Sequence, residues 1–157
     1  MDNINISAEF AEFSRFLEEE MKKSYSERAA GYIANPKNLG PMEDANGYAT
    51  VADSHGDELH IWLKIDDSTI KKASFFTKGC ITIKIAGSAM TELVPGKTLE
   101  EAMEITPKAL RDFIGRTPRK TWHCTILAVD ALRAAIRNHI ILSVFNNANN
   151  KTVQIDL

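Results

Sequence analysis

Cysteine is scarce in this sequence: only Cys80 and Cys124 occur in 157 residues, too few for the disulfide framework that staples small secreted domains. Charge of one sign is also lacking, since 19 Lys plus Arg stand against 21 Asp plus Glu for a formal net charge of −2. Such a balance exerts no global pull on nucleic acid or anionic lipid, and neither is expected as a partner. No apolar run approaches the ~18 residues needed to span a bilayer. The opening Met1-Asp2-Asn3-Ile4-Asn5 lacks the basic and then apolar order of a secretory signal, so a cytoplasmic protein without a membrane segment is expected. A glycine-rich phosphate loop and a Gly-x-Ser-x-Gly elbow are absent as well, which removes the sequence anchors of nucleotide hydrolysis and serine esterase chemistry. What remains is average in composition, 44% hydrophobic and 25% charged, and predicts one ordinary core rather than a rod or a disordered tail.

Periodicity sets out the elements. Over residues 7–23, Phe10, Phe13, Leu17 and Met21 recur at helical spacing, with Glu18, Glu19, Glu20, Lys22 and Lys23 for the wet face. Ser24-Tyr25-Ser26-Glu27 has the capping-box pattern and predicts a second helix from Ser24 that stops near Asn35, before Pro36. Dense punctuation from Asn35 to Gly47 reads as a loop. Residues 48–51 form a short strand candidate. Leu59, Ile61, Leu63 and Ile65 alternate with His60, Trp62 and Lys64 as a half-buried strand does, and residues 70–77 return antiparallel after an Asp66-Asp67-Ser68 turn. Beyond Gly79 the pattern is ambiguous: Ile81, Ile83 and Ile85 alternate, yet Ile81, Ile85, Ala89 and Leu93 recur every four residues, and length favours a helix ended by Pro95-Gly96. Two short helices follow, opened by Thr98-Leu99-Glu100-Glu101 and by Thr106-Pro107, the second closed by Gly115. A long helix from about Cys124 past His139 buries Ile126 or Leu127, Ala131, Leu132, Ala135 and Ile136. The tail from Asn146 is polar, with residues 152–155 an edge strand or a frayed end.

Chemistry gathers around the two thiols. Both lie at element ends, where unpaired amides favour thiolates. His55 and Asp57 precede the long strand, and His123 adjoins Cys124. Two sulfurs, two imidazoles and a carboxylate suit tetrahedral zinc or iron in an iron–sulfur cluster. Taken singly, the cysteines are as well read as inert and buried, and the histidines are better read as a solvated loop residue (His55) and a helix-start residue packing beside Trp122 (His123), so it is their combination that makes a site. The string His55-Gly56-Asp57-Glu58-Leu59-His60 is not a zincin motif, because its histidines are five apart and His60 falls on a strand. The basic run Arg116-Thr117-Pro118-Arg119-Lys120 reads as a solvated loop.

In unbroken order over residues 24–139, Tyr25-Ser26-Glu27, Asn35-Pro36-Lys37-Asn38-Leu39-Gly40, Gly56-Asp57, Thr77-Lys78-Gly79-Cys80, Leu93-Val94-Pro95-Gly96-Lys97-Thr98-Leu99-Glu100-Glu101-Ala102 and His123-Cys124-Thr125-Ile126-Leu127-Ala128 resemble the U-type iron–sulfur cluster assembly scaffolds, the IscU and NifU N-terminal kind. The resemblance implies an α+β domain, a three-stranded antiparallel sheet with packed helices, over residues 24–145, with an N-terminal helical extension over residues 1–23 and a polar tail over residues 146–157. It implies a non-enzymatic scaffold that assembles a transient [2Fe–2S] or [4Fe–4S] cluster from iron and sulfur delivered by a cysteine desulfurase, then passes it to apo iron–sulfur proteins. By the same resemblance Asp57 matches the family's aspartate ligand, Cys80 and Cys124 its second and third cysteines, and His123 a histidine before the third.

The family's first cysteine is replaced by His55. Imidazole remains a ligand for iron or zinc but carries no persulfide, which leaves Cys80 and Cys124 as acceptors. Thr117-Pro118-Arg119-Lys120-Thr121 departs from the family's chaperone-recognition stretch and argues against a dedicated chaperone. Ile81, Ile83, Lys84 and Ile85 are bulkier than the family's small residues after the second cysteine, and Lys84 is read as solvated. Three readings stay open: a scaffold holding a cluster through His55, Cys80 and Cys124 with Asp57 or His123; a Zn2+-binding sulfur-transfer partner of a desulfurase using His55, Asp57, Cys80 and Cys124; and a metal-free interaction protein of the same fold. The N-terminal helix either packs on the domain or mediates self-association.

Overall fold

The computed structural model describes residues 6–152. Its elements run α1 (Ile6–Ser24), α2 (Glu27–Ala34), β1 (Gly47–Ala52), β2 (Glu58–Asp66), β3 (Thr69–Lys78), α3 (Ile81–Leu93), α4 (Leu99–Met103), α5 (Pro107–Ile114), a 3-10 turn (Arg119–Thr121) and α6 (His123–Thr152). The strands form one antiparallel sheet in the order β1-β2-β3, as short connections favour. Along β2 the expected alternation holds. Leu59, Ile61, Leu63 and Ile65 are buried against the helices, while Tyr48, His60, Trp62 and Phe76 form an aromatic cluster on the opposite face.

The ambiguous segment after Cys80 is helix. Ile83, Ile85, Ala86, Ala89 and Met90 are all fully buried in it, because α3 packs against α2, β3, α5 and α6 and so presents apolar residues nearly all round. That enclosure explains the mixed periodicity. Gly87 lets α3 approach β3: a Cβ there would lie 2.4 Å from the ring of fully buried Phe75. Gly87→Ala is therefore expected to lower stability by about 1–3 kcal/mol, the usual cost of overpacking, read as a lower urea midpoint at unchanged slope.

The caps of α4 and α5 form as expected. Thr98 and Glu101 complete a reciprocal capping box, and Thr106 caps a helix with Pro107 in its first turn and Gly115 after its end. The start of α2 needs correction. Ser24 ends α1, and the cap is Ser26, whose Oγ accepts from the Ala29 amide and donates to the Ile114 carbonyl. That contact to α5, distant in sequence, selects one serine over the other. The 35–47 loop is pinned along the outer edge of β3, with Gly40 N donating to Phe75 O and Phe75 N to Asn38 O.

Helix α6 lies across β1 and β2 and buries Leu127, Ala131, Leu132, Ala135 and Ile136, whereas Ile126 faces out. It continues through Thr152; a strand over residues 152–155 is not formed at Thr152, and residues 153–155 lie outside the described residues. Helix α1 touches the body near α2 and leaves Phe10, Phe13 and Leu17 exposed. Among the described residues no helix is long and apolar enough to cross a membrane.

Candidate metal centre

Three chain segments meet at one end of the sheet. The β2–β3 register pairs Glu58 with Lys78, which sets Asp57, just before β2, beside Gly79 and Cys80, just after β3. Gly79 permits the contact. Its φ is +148°, and a Cβ there would fall 2.1 Å from Asp57 Oδ1. The first turn of α6 then brings His123 and Cys124 over the same carboxylate.

Asp57 is the hub. Its Oδ1 accepts the Cys80 amide at 2.8 Å. Its Oδ2 lies 3.1 Å from His123 Nε2, 3.6 Å from Cys80 Sγ and 3.8 Å from Cys124 Sγ. Burial pushes its pKa up, but the hydrogen bonds from the Cys80 amide, the His123 ring and the Cys80 thiol outweigh that and hold it below the ordinary carboxylate value. Asp57 is thus a carboxylate at neutral pH.

The two sulfurs are 3.5 Å apart. Two thiolates bound at ~2.3 Å to one tetrahedral ion would be ~3.8 Å apart, so little movement separates this pair from shared coordination. Their exposure differs: Cys80 opens to solvent and Cys124 is buried. Burial pushes the Cys124 thiol well above its ordinary range, with further contributions from Cys80, Asp57 and Asp53. A cation is what would stabilise its thiolate.

His123 is oriented for ligation. Its Nδ1 lies 3.1 Å from the Lys120 carbonyl, which can only accept, so Nδ1 donates there. Nε2 faces Asp57 and Cys124, donates to Asp57 Oδ2 in the metal-free protein and would bind a metal by giving up that proton, with the ring held as metal-bound histidines are. Trp122 beside it is fixed by Arg111 and Arg119, whose guanidinium carbons lie 4.5 and 5.3 Å from its ring centroid. Arg116 donates to the carbonyls of Lys22 and Tyr25. Of the basic run, Arg119 thus packs on the residue before α6, while Arg116 ties its loop to the end of α1.

Asp57, Cys80, His123 and Cys124 thus place one donor atom each within 4.8 Å of one another. His55 stands outside that group. Its ring stacks on His123 at a centroid distance of 4.1 Å and belongs to a second cluster with Asp53 and His123. Lys84 is exposed. Asp53 was missed by the sequence reading. The signal for it was its place at the start of the Asp53-Ser54-His55-Gly56 turn, where its Oδ1 accepts the amides of His55 and Asp57.

Fold and site together define an α+β domain with a mixed sulfur, nitrogen and oxygen ligand set at the end of its sheet. Residues 24–142 match the NifU-like N terminal domain, and the chain belongs to that family. It is 41% identical over 113 residues to iron-sulfur cluster assembly scaffold protein IscU 1 of Archaeoglobus fulgidus, covering 71% of this chain and 74% of that protein. Against the protein of Haemophilus influenzae named iron-sulfur cluster assembly scaffold protein IscU it is 38% identical over 121 residues, covering 74% and 95%. The crystal structure of a NifU-like N-terminal protein from Brucella abortus superposes with a TM-score of 0.57 at 20% identity, over 73% of this chain and 92% of that one, a likeness of fold.

Proposed function

We propose that this protein is an iron–sulfur cluster assembly scaffold whose cargo is held by the thiolates of Cys80 and Cys124 with Asp57 and His123, and with His55 at the rim. The observation that carries the reading is the 3.5 Å approach of an open and a buried thiol beneath one carboxylate, in a chain 41% identical to a protein named as such a scaffold. Two sulfur ligands supplemented by a carboxylate and an imidazole hold a cluster less firmly than four thiolates do, which suits a cargo that must leave. Cys80, the open thiol, is the one that incoming sulfur from a cysteine desulfurase meets first. Apo iron–sulfur proteins are the recipients.

Anaerobic reconstitution with ferric iron, sulfide and a thiol reductant is expected to give the visible charge-transfer absorption of a cluster, with iron and sulfide in equal amounts. A colourless product under these conditions overturns the reading. The same donor set also suits tetrahedral Zn2+, and stoichiometric zinc in a protein that never colours would mark the sulfur-transfer alternative.

A further inference from the structure

Beside the thiols lies a second group of donors that contains no sulfur. Asp53, His55 and His123 face one another in a shallow groove whose rim also carries Ile126 and Asp130. Asp53 is anchored by Oδ1, which accepts the amides of His55 and Asp57 at 2.9 and 3.1 Å. Its other oxygen, Oδ2, is buried and has no hydrogen-bond partner. A buried carboxylate oxygen without a donor is costly and needs an explanation. Its nearest cationic or ligating neighbours are His55 Nδ1 at 3.7 Å and His123 Nε2 at 3.8 Å, both too far for hydrogen bonds. They are close to the separation of two ligands on a common ion: bonds of ~2.1 Å place two donors ~3.4 Å apart at a tetrahedral angle and ~3.6 Å apart at a trigonal one.

We propose that Asp53, His55 and His123 form a second divalent transition-metal position, adjacent to the thiols and sharing His123 with them. Its oxygen and nitrogen donors suit Fe2+, Zn2+ or Co2+, none of which needs sulfide to bind there. Asp53 is already fixed by two amides. His123 Nε2 is free of the backbone, because the Lys120 carbonyl engages the other nitrogen. His55 completes the set by a ring rotation: its side chain is 60% exposed and its ring touches Asp53 and His123 without a hydrogen bond. The single lone pair of Nε2 serves one ion at a time, so His123 can release an ion on the Asp53 side as it engages one on the Asp57 side. The position would stage iron on its way to the thiols; that role rests on the scaffold reading, whereas the binding site does not.

Cobalt titration of the metal-free protein separates the two. In wild type, Co2+ at the thiols gives sulfur-to-cobalt charge transfer in the near ultraviolet. In the Cys80→Ser, Cys124→Ser double variant that band is gone, yet about one Co2+ per chain is expected to remain, seen by its weaker visible bands and by paramagnetically shifted imidazole resonances. Adding Asp53→Asn, which keeps the Oδ1 contacts, or His55→Ala is expected to weaken that residual binding by ~10-fold or more. A double-serine variant that binds no Co2+, or one whose affinity is unmoved by both additions, overturns the second position and leaves the thiol site standing. A wild type without the charge-transfer band, together with residual binding sensitive to Asp53 and His55, overturns the thiol site and leaves the second position standing.

Discussion

Serine in place of Cys124 is expected to abolish the cluster absorption of the reconstituted protein while leaving the domain folded. The hydroxyl does not ionise in the accessible pH range and is a poor ligand for iron, so the buried half of the sulfur pair is lost outright. The fold survives because serine is nearly isosteric with cysteine, and burying its hydroxyl costs at most about 1–3 kcal/mol. Absorption after anaerobic reconstitution, read beside a thermal melt, separates lost ligation from lost structure. A variant that colours as wild type does would remove Cys124 from the site. The pH dependence has a definite sign. Burial raises the Cys124 pKa, so the neutral thiol stabilises the metal-free fold below the ordinary thiol pKa, and that contribution is lost as pH rises above it. Loading runs the other way: binding must expel the thiol proton and should strengthen as pH rises. The serine variant should lose both dependences.

Alanine at Gly79 should be nearly as damaging, although the residue offers no ligand. Its Cβ would fall 2.1 Å from Asp57 Oδ1 and 2.9 Å from Asp57 Cγ, at a φ of +148° that side chains rarely adopt. The carboxylate must move, and with it goes the acceptor of the Cys80 amide. Loss of at least tenfold in bound iron is expected, together with about 1–3 kcal/mol of stability from the strained backbone and broken contact. Iron retention after gel filtration and a urea titration report the two effects. Wild-type retention in Gly79→Ala would mean that the Asp57 position is immaterial to loading.

Much of the architecture was legible because it depends on local chemistry. The alternation of Leu59, Ile61, Leu63 and Ile65 defined the central strand, and the Thr98 and Thr106 caps marked two helices correctly. The start of α2 was misread, since Ser24 and Ser26 both satisfy a capping pattern and only the bond from Ser26 to Ile114 on α5 chooses between them. In the same way, Ile126 and Leu127 were equivalent candidates for the buried stripe until the path of α6 across the sheet turned Leu127 inward.

The site divides along the same line. Cys80, Cys124, Asp57, His123 and His55 were recognisable as ligand chemistry in the sequence, because thiol, carboxylate and imidazole are few and fall at element ends. Their gathering into one set was expected, but the division that sets His55 apart with Asp53 was not. The sequence places His55 two residues from Asp57, yet Oδ2 of Asp57 faces Cys80 and Cys124 while the ring of His55 turns onto His123 and Asp53. By itself, then, the sequence determined the strand and helix pattern and the inventory of donors, since periodicity and side-chain chemistry are local properties. Which donors lie within reach of one another, and that Asp53 adjoins them, was decided only when the β2–β3 register and the start of α6 brought residues 23 to 70 positions apart within a few ångströms, a proximity that no local pattern encodes.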